Sequence, residues 1–92
     1  MRTIHKFEIA LNKEIQSIDM LDPPQYLRVE YLVHKRSIFL WAEVPADLTV
    51  RRQTRRFRVF STGDGIPDSA RYVGTCVDQY LPESYHLYEL LD

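Results

Sequence analysis

The sequence predicts one all-β domain over residues 1–92, a small antiparallel sandwich or barrel of about 6–7 short strands. Three observations predict it. Apolar residues recur at period two in segment after segment, and Gly, Pro, Asn and Asp punctuate the chain between those segments. The chain is also rich in aromatic residues, with six Tyr, four Phe and Trp41, which suit a pleated, half-buried surface. A domain of this size buries only about 60–65% of its unfolded surface, so the core must be thin.

The first strand reads from Thr3 to Leu11, where Phe7, Ile9 and Leu11 alternate with Glu8 and Ala10. Asn12 and Lys13 form a turn, and Ile15 to Met20 puts Ile18 and Met20 on one face with Asp19 on the other, so these two segments are expected to form a hairpin. Pro23 and Pro24 remove two backbone donors and interrupt the sheet. From Gln25 to Val33, Leu27, Val29 and Tyr31 alternate with Arg28 and Glu30, a pattern that fits a strand better than a helix over Tyr26 to Lys35. His34 to Ser37 is a polar turn. Ile38 to Val44 is an apolar run around Trp41, suited to a strand buried on both faces, and the two segments make the central hairpin.

Pro45 to Gln53 is a polar connection, and the next strand runs from Thr54 to Ser61 with Arg56 and Arg58 alternating with Phe57 and Val59. Thr62 to Asp68 has the Gly, Asp and Pro content of a loop that visits positive φ. Arg71 to Val77 and Tyr85 to Leu90 close the fold, with Leu81 to Ser84 between them; one short helical turn over Tyr85 to Leu91 is the alternative for the last element.

Composition narrows the function. A formal charge of −1, from 12 Lys and Arg against 13 Asp and Glu, argues against nucleic-acid binding by bulk charge alone. The charge is unevenly spread: five arginines fall between Arg51 and Arg58, whereas Val73 to Asp92 holds four acids and no Lys or Arg. One cysteine, Cys76, excludes an internal disulfide and points to a reducing compartment. The N-terminus lacks the apolar core of a signal peptide and no stretch reaches the ~20 apolar residues that cross a bilayer, so a cytoplasmic location without membrane contact is expected.

Five segments carry a resemblance. They are Met1 to Glu8 (Met-Arg-Thr-Ile-His-Lys-Phe-Glu), Leu40 to Val44 (Leu-Trp-Ala-Glu-Val), Phe57 to Pro67 (Phe-Arg-Val-Phe-Ser-Thr-Gly-Asp-Gly-Ile-Pro), Tyr72 to Thr75 (Tyr-Val-Gly-Thr) and His86 to Glu89 (His-Leu-Tyr-Glu). Together, over Met1 to Glu89, the chain resembles a family of small proteins of unknown function encoded by tailed phages and prophages. The resemblance implies a phage setting, and with it the host cytoplasm. It implies no activity, and it assigns no catalytic or binding residue.

The best candidate site is the cluster Arg51, Arg52, Arg55, Arg56 and Arg58, because guanidinium groups grip phosphates and carboxylates with two hydrogen bonds at once. Arg56 and Arg58 should share a strand face, with Arg51, Arg52 and Arg55 extending the patch. The plainer reading is a solvated face. Thr62, Gly63, Asp64 and Gly65 form a second candidate, a glycine loop whose amides could close on a phosphate; lacking the Lys and helix of a phosphate-binding loop, it reads more simply as a turn. His5, His34 and His86 are scattered, although pairing of the terminal strands would bring His5 and His86 together. Cys76 reads as a small buried side chain, Ser61, Ser69 and Ser84 stand in no hydrolase setting, and Trp41 is either core or the centre of an interface.

The expectation is therefore a non-enzymatic phage accessory protein with no cofactor, metal or catalytic residue. It would act by binding a host protein, with an antiviral defence complex such as CRISPR as one target. The alternatives are a nucleic-acid-binding module using the arginine strand, a protein that sequesters a small nucleotide, and a virion component. The thin core and exposed strand edges also make a homo-oligomer a candidate state.

Overall fold

In the computed structural model, which describes residues 1–47 and 49–91, the alternating segments become seven strands: β1 (Arg2–Ala10), β2 (Gln16–Leu21), β3 (Gln25–Leu32), β4 (Ser37–Pro45), β5 (Arg52–Ser61), β6 (Arg71–Asp78) and β7 (Glu83–Leu90). All pairings are antiparallel, in a three-stranded sheet of order β1-β4-β3 and a four-stranded sheet of order β2-β5-β7-β6. The smallest dimension is 17 Å, which accommodates two sheets stacked about 10 Å apart and little else.

β4 sets the first sheet. Ser37, Ile38, Phe39 and Leu40 are all buried, as are Ala42 and Val44. A strand that is apolar on both sides belongs in the middle of a sheet. It pairs with β3 across a short turn in which Arg36 takes a φ of 49°, and with β1 from Arg2 opposite Pro45 to Ala10 opposite Ser37.

The hairpin expected of the first two strands does not form. β1 is taken by β4, and β2 crosses to the other sheet to pair with β5, with Gln16 opposite Phe57 and Leu21 opposite Arg52. The crossing is closed by one side chain. The Gln16 amide accepts from the Ala10 N–H at 2.8 Å and donates to the Ala10 carbonyl at 2.8 Å, so it satisfies the end of β1 much as a partner strand would. The last segment, for which a helical turn was the alternative, is strand: β7 lies between β5 and β6, its residues from Ser84 to Leu90 alternately half-buried and buried.

The core lies between the sheets. Ile9, Ile38, Leu40 and Val29 from one sheet meet Met20, Phe57, Val59 and Leu87 from the other. Two ring contacts cross the gap, Tyr26 to Phe57 with centroids 5.8 Å apart and Tyr31 to Tyr85 at 5.5 Å. The remaining seam, where β3 and β6 approach as unpaired edges, depends on a missing side chain. A Cβ on Gly74 would stand 2.7 Å from Val29 Cγ2 and 3.1 Å from Val29 Cβ. Valine has little rotamer freedom with which to yield. Both strands carry a register shift at this seam, between Tyr26 and Arg28 in β3 and between Tyr72 and Gly74 in β6.

Gly74→Ala should therefore destabilise the protein by about 1–3 kcal/mol through overpacking. In a Val29→Ala background the same substitution should cost markedly less, a coupling that denaturant unfolding of the four proteins in a double-mutant cycle would measure.

Candidate binding surfaces

β5 carries the arginines, and its alternation divides them. Phe57 and Val59 belong to the core, so Arg55, two residues before Phe57, turns inward with them, while Arg56, Arg58 and Phe60 turn away. Arg51 and Arg52 are exposed at the start of the strand. The patch expected from the sequence thus loses Arg55.

Arg55 is held by two carboxylates. Its Nη1 donates to Glu89 Oε2 at 2.8 Å and its Nη2 to Asp22 Oδ1 at 2.5 Å. Glu89 is only 2% exposed, and its other oxygen accepts a 2.8 Å hydrogen bond from the Tyr26 hydroxyl. Burial alone would lower the Arg55 pKa, but its hydrogen bonds to Asp22 and Glu89 reverse the effect and keep the guanidinium charged. Burial first, and the bond to Glu89 second, push the Tyr26 hydroxyl well above its ordinary range. The cluster draws on β3, β5, β7 and the link after β2, so it ties the two sheets together.

On the outer face of the four-stranded sheet, pairing registers place Arg58 opposite Tyr88 and Tyr88 opposite Tyr72. These three form a straight row across β5, β7 and β6. The Tyr72 and Tyr88 rings meet edge to face at 5.4 Å, and the Arg58 guanidinium lies 4.6 Å from the centroid of Phe60, which in turn meets Tyr88 at 5.5 Å. Phe60 is fully buried although it faces away from the core. Beside this row, His86 contacts the hydroxyls of Thr75 and Thr62, each at 3.0 Å, and Thr75 in turn contacts the Tyr72 hydroxyl at 2.7 Å. Tyr72 is 55% exposed. The sequence singled out Arg58 and Thr62 but not Tyr72, Thr75 or Tyr88. The period-two pattern of β7 could have put His86 and Tyr88 on one face, but nothing in it named β5 as the neighbour.

The glycine loop is occupied by its own carboxylate. Gly63 takes a φ of 96°, and Asp64 accepts from the Ser61 N–H at 2.8 Å and from the Lys13 ammonium. Those partners, Lys13 first, hold Asp64 below the usual carboxylate range. The negative charge sits where a phosphate would need amides, and Thr62 turns to His86 instead.

His5 and His86 are not brought together, because β1 and β7 lie in different sheets. Among the described residues no group of three or more His, Cys, Asp and Glu could hold a metal ion, and no helix is long and apolar enough to cross a membrane. Cys76 is buried, and burial, followed by the charge of Glu30, pushes its thiol up to about 11. Trp41 belongs to neither core cluster; it is half-buried on the outer face of the three-stranded sheet, opposite Lys6 and Arg28 and 6.2 Å from the Phe39 ring.

The buried cluster yields a prediction about stability. Glu89→Gln should cost about 3 kcal/mol, since it removes the deeper partner of a buried charge. Asp22→Asn, at a carboxylate 35% exposed, should cost less than about 1 kcal/mol. A second prediction concerns alkali. Tyr26 and Tyr85, the latter pushed up to about 12 by burial and by its bond to Glu83, hold their protons more tightly folded than unfolded. Stability should be at its full value below about pH 10, the ordinary tyrosine range, and fall as the pH rises above it. Tyr26→Phe should blunt that fall in chemical denaturation at pH 8 and pH 11.

The sequence profile of one family, a domain of unknown function designated DUF7352, matches residues 1–92. No curated protein and no solved structure matches the chain.

Proposed function

The chain belongs to the DUF7352 family, a domain of unknown function, and we propose that it acts by binding, as a phage accessory protein that covers an acidic surface of a host protein. The observation that carries this reading is the row of Arg58, Tyr88 and Tyr72 across the outer face of the four-stranded sheet. Tyr and Arg are the side chains that most often dominate protein interfaces, since each offers a large apolar surface with polar groups at its edge. Arg58 is stacked on Phe60, which lowers the entropy lost when a carboxylate docks. Its Nε is buried without a hydrogen-bond partner among the described residues.

The phage setting rests on the resemblance of the five sequence segments and on the size of the chain. Within that setting a host antiviral defence component is the class of target proposed, encountered in the host cytoplasm. Covering such a target's acidic site needs no chemistry.

Single-stranded nucleic acid is the second reading, because bases could stack on Tyr72 and Tyr88 with phosphates on the flanking arginines. The overall charge of −1 and Asp64 beside Ser61 and Lys13 weigh against it.

The test is retention of host proteins on the immobilised chain at low and moderate salt, compared with an Arg58→Glu/Tyr72→Ala variant and with Lys6→Glu on the opposite sheet. A discrete protein kept at both salts and by the Lys6→Glu control, and lost by at least about tenfold with the double variant, is the expected result. Retention by the double variant equal to the native chain would remove this face from the proposal. Recovery of nucleic acid alone, released as salt rises, would favour the second reading.

A further inference from the structure

Next to the row of Arg58, Tyr88 and Tyr72, a second row crosses the same outward face, with Phe60 opposite His86 and His86 opposite Thr75. Tyr72 and Thr75 share that face although they stand three apart, because the register shift between Tyr72 and Gly74 interrupts the alternation of β6. Hydrogen bonds link the two rows: His86 Nε2 to the Thr62 hydroxyl, His86 Nδ1 to the Thr75 hydroxyl, and Thr75 to the Tyr72 hydroxyl. Thr62, Thr75 and Tyr72 are exposed and His86 is half-buried, so this relay is open to a docking partner.

Each hydroxyl of the relay carries one hydrogen, and a neutral imidazole carries one more on a single nitrogen. These four hydrogens serve three contacts, which leaves one hydroxyl hydrogen, at one end or the other, directed outward. A second proton on His86 changes that balance. Both ring nitrogens then donate, both threonines accept, and neither threonine can give its hydrogen to the ring. The Thr62 hydrogen turns outward on one side of the ring, and one hydrogen of the Thr75 and Tyr72 pair turns outward on the other. The result is an imidazolium with donors on both flanks, on the face that holds the Arg58 guanidinium.

The titratable and charged groups facing His86 are Arg58 from β5, Tyr72 from β6, Tyr88 from β7 itself and Asp64 from the loop after β5. Asp64 is already taken by the Lys13 ammonium and the Ser61 N–H. Glu83 lies beside Thr62, but its carboxylate accepts from the Tyr85 hydroxyl at 2.9 Å. Among the described residues the ring bonds to hydroxyls and to no carboxylate. The acid that an imidazolium favours therefore has to come from outside.

We propose that His86 makes this face proton-gated: an acidic partner is held more tightly when His86 is charged, its carboxylates taking the hydroxyl hydrogens that protonation turns outward. The proposal rests on the reading of the Arg58 row as a site for an acidic surface, and it adds the regulation of that site. Carboxylates favour the charged ring, so binding takes up a proton. Affinity is then greatest at low pH and falls as the pH rises through the range in which histidines lose their proton, about pH 5 to 8. Through Thr75, His86 acts as a positioning residue for the Tyr72 hydroxyl.

Poly-L-glutamate is a suitable probe, titrated calorimetrically at pH 6 and pH 8 at constant ionic strength. The native protein is expected to bind roughly five- to tenfold more tightly at pH 6 and to take up a proton on binding, read from the dependence of the heat on the buffer. His86→Gln, whose amide can bond both threonines but gains no charge, should bind at both pH values as the native protein does at pH 8. Thr75→Val keeps the ring's charge but cuts the link to Tyr72, and should reduce the difference to about two- to threefold. A variant with His5→Ala and His34→Ala should keep the full difference. Thermal unfolding of each variant, matching the native transition, separates loss of the gate from misfolding. Equal native affinity at both pH values, absence of binding at either, or a full difference surviving in His86→Gln or Thr75→Val overturns the proposal. Arg58→Glu separates the two readings. If it abolishes binding while the native protein shows no pH difference, the Arg58 row stands and the gate falls. If it binds as the native protein does while His86→Gln still removes the difference, the gate stands and the Arg58 row falls.

Discussion

The ion cluster around Arg55 is the constraint on which the rest of this structure depends. A guanidinium taken from water is costly unless its partners are close and themselves satisfied. Here Glu89 and Asp22 take its two terminal nitrogens, and Tyr26 satisfies the second oxygen of Glu89. Apolar contacts between the sheets tolerate sliding, because one aliphatic neighbour serves nearly as well as another. The cluster does not. Its four members come from three separate parts of the chain, and their hydrogen bonds form at one relative position of the two sheets.

That position determines what the protein shows to its surroundings. With Arg55 inside, parity sends Arg56, Arg58 and Phe60 outward, and the pairing that puts Phe57 opposite Glu89 also puts Arg58 opposite Tyr88. A slip of one residue between β5 and β7 would turn both sets over, burying the outer arginines and exposing the core. The interior charge cluster and the exterior row of Arg58, Tyr88 and Tyr72 are thus two sides of one register. The seam between β3 and β6 arises differently: Gly74 lets the two edges touch at one end, and neither edge has a hydrogen-bonded neighbour along its length.

Much of the local structure was legible in the sequence. Period two located the strands, the run from Ile38 to Val44 announced a strand buried on both sides, and the polar turn before it marked the β3–β4 hairpin. Period two also put Arg56 and Arg58 on one face. What it could not supply was neighbours. Adjacent segments usually pair, and on that basis β1 and β2 were expected together, but β4 needs a partner on each edge and takes β1. Period two alone would have turned Arg55 inward with Phe57, but a charge inside the core has no sequence signal to support it until its partner, Glu89, 34 residues away in the chain, is seen buried beside it. Tyr72 and Tyr88 escaped notice for the same reason, since their row exists only once β5, β7 and β6 are set side by side.

Phe60 under Arg58 has a consequence for how the protein behaves when it is alone. A fully buried phenyl ring on an outward face is kept from water by its neighbours, and the guanidinium is one of them. Neutralising Arg58 by truncation would do more than subtract a charge. It would uncover a ring next to two tyrosines and enlarge a continuous aromatic patch. The arginine is thus a cover as well as a charge: it keeps an adhesive ring out of contact with water.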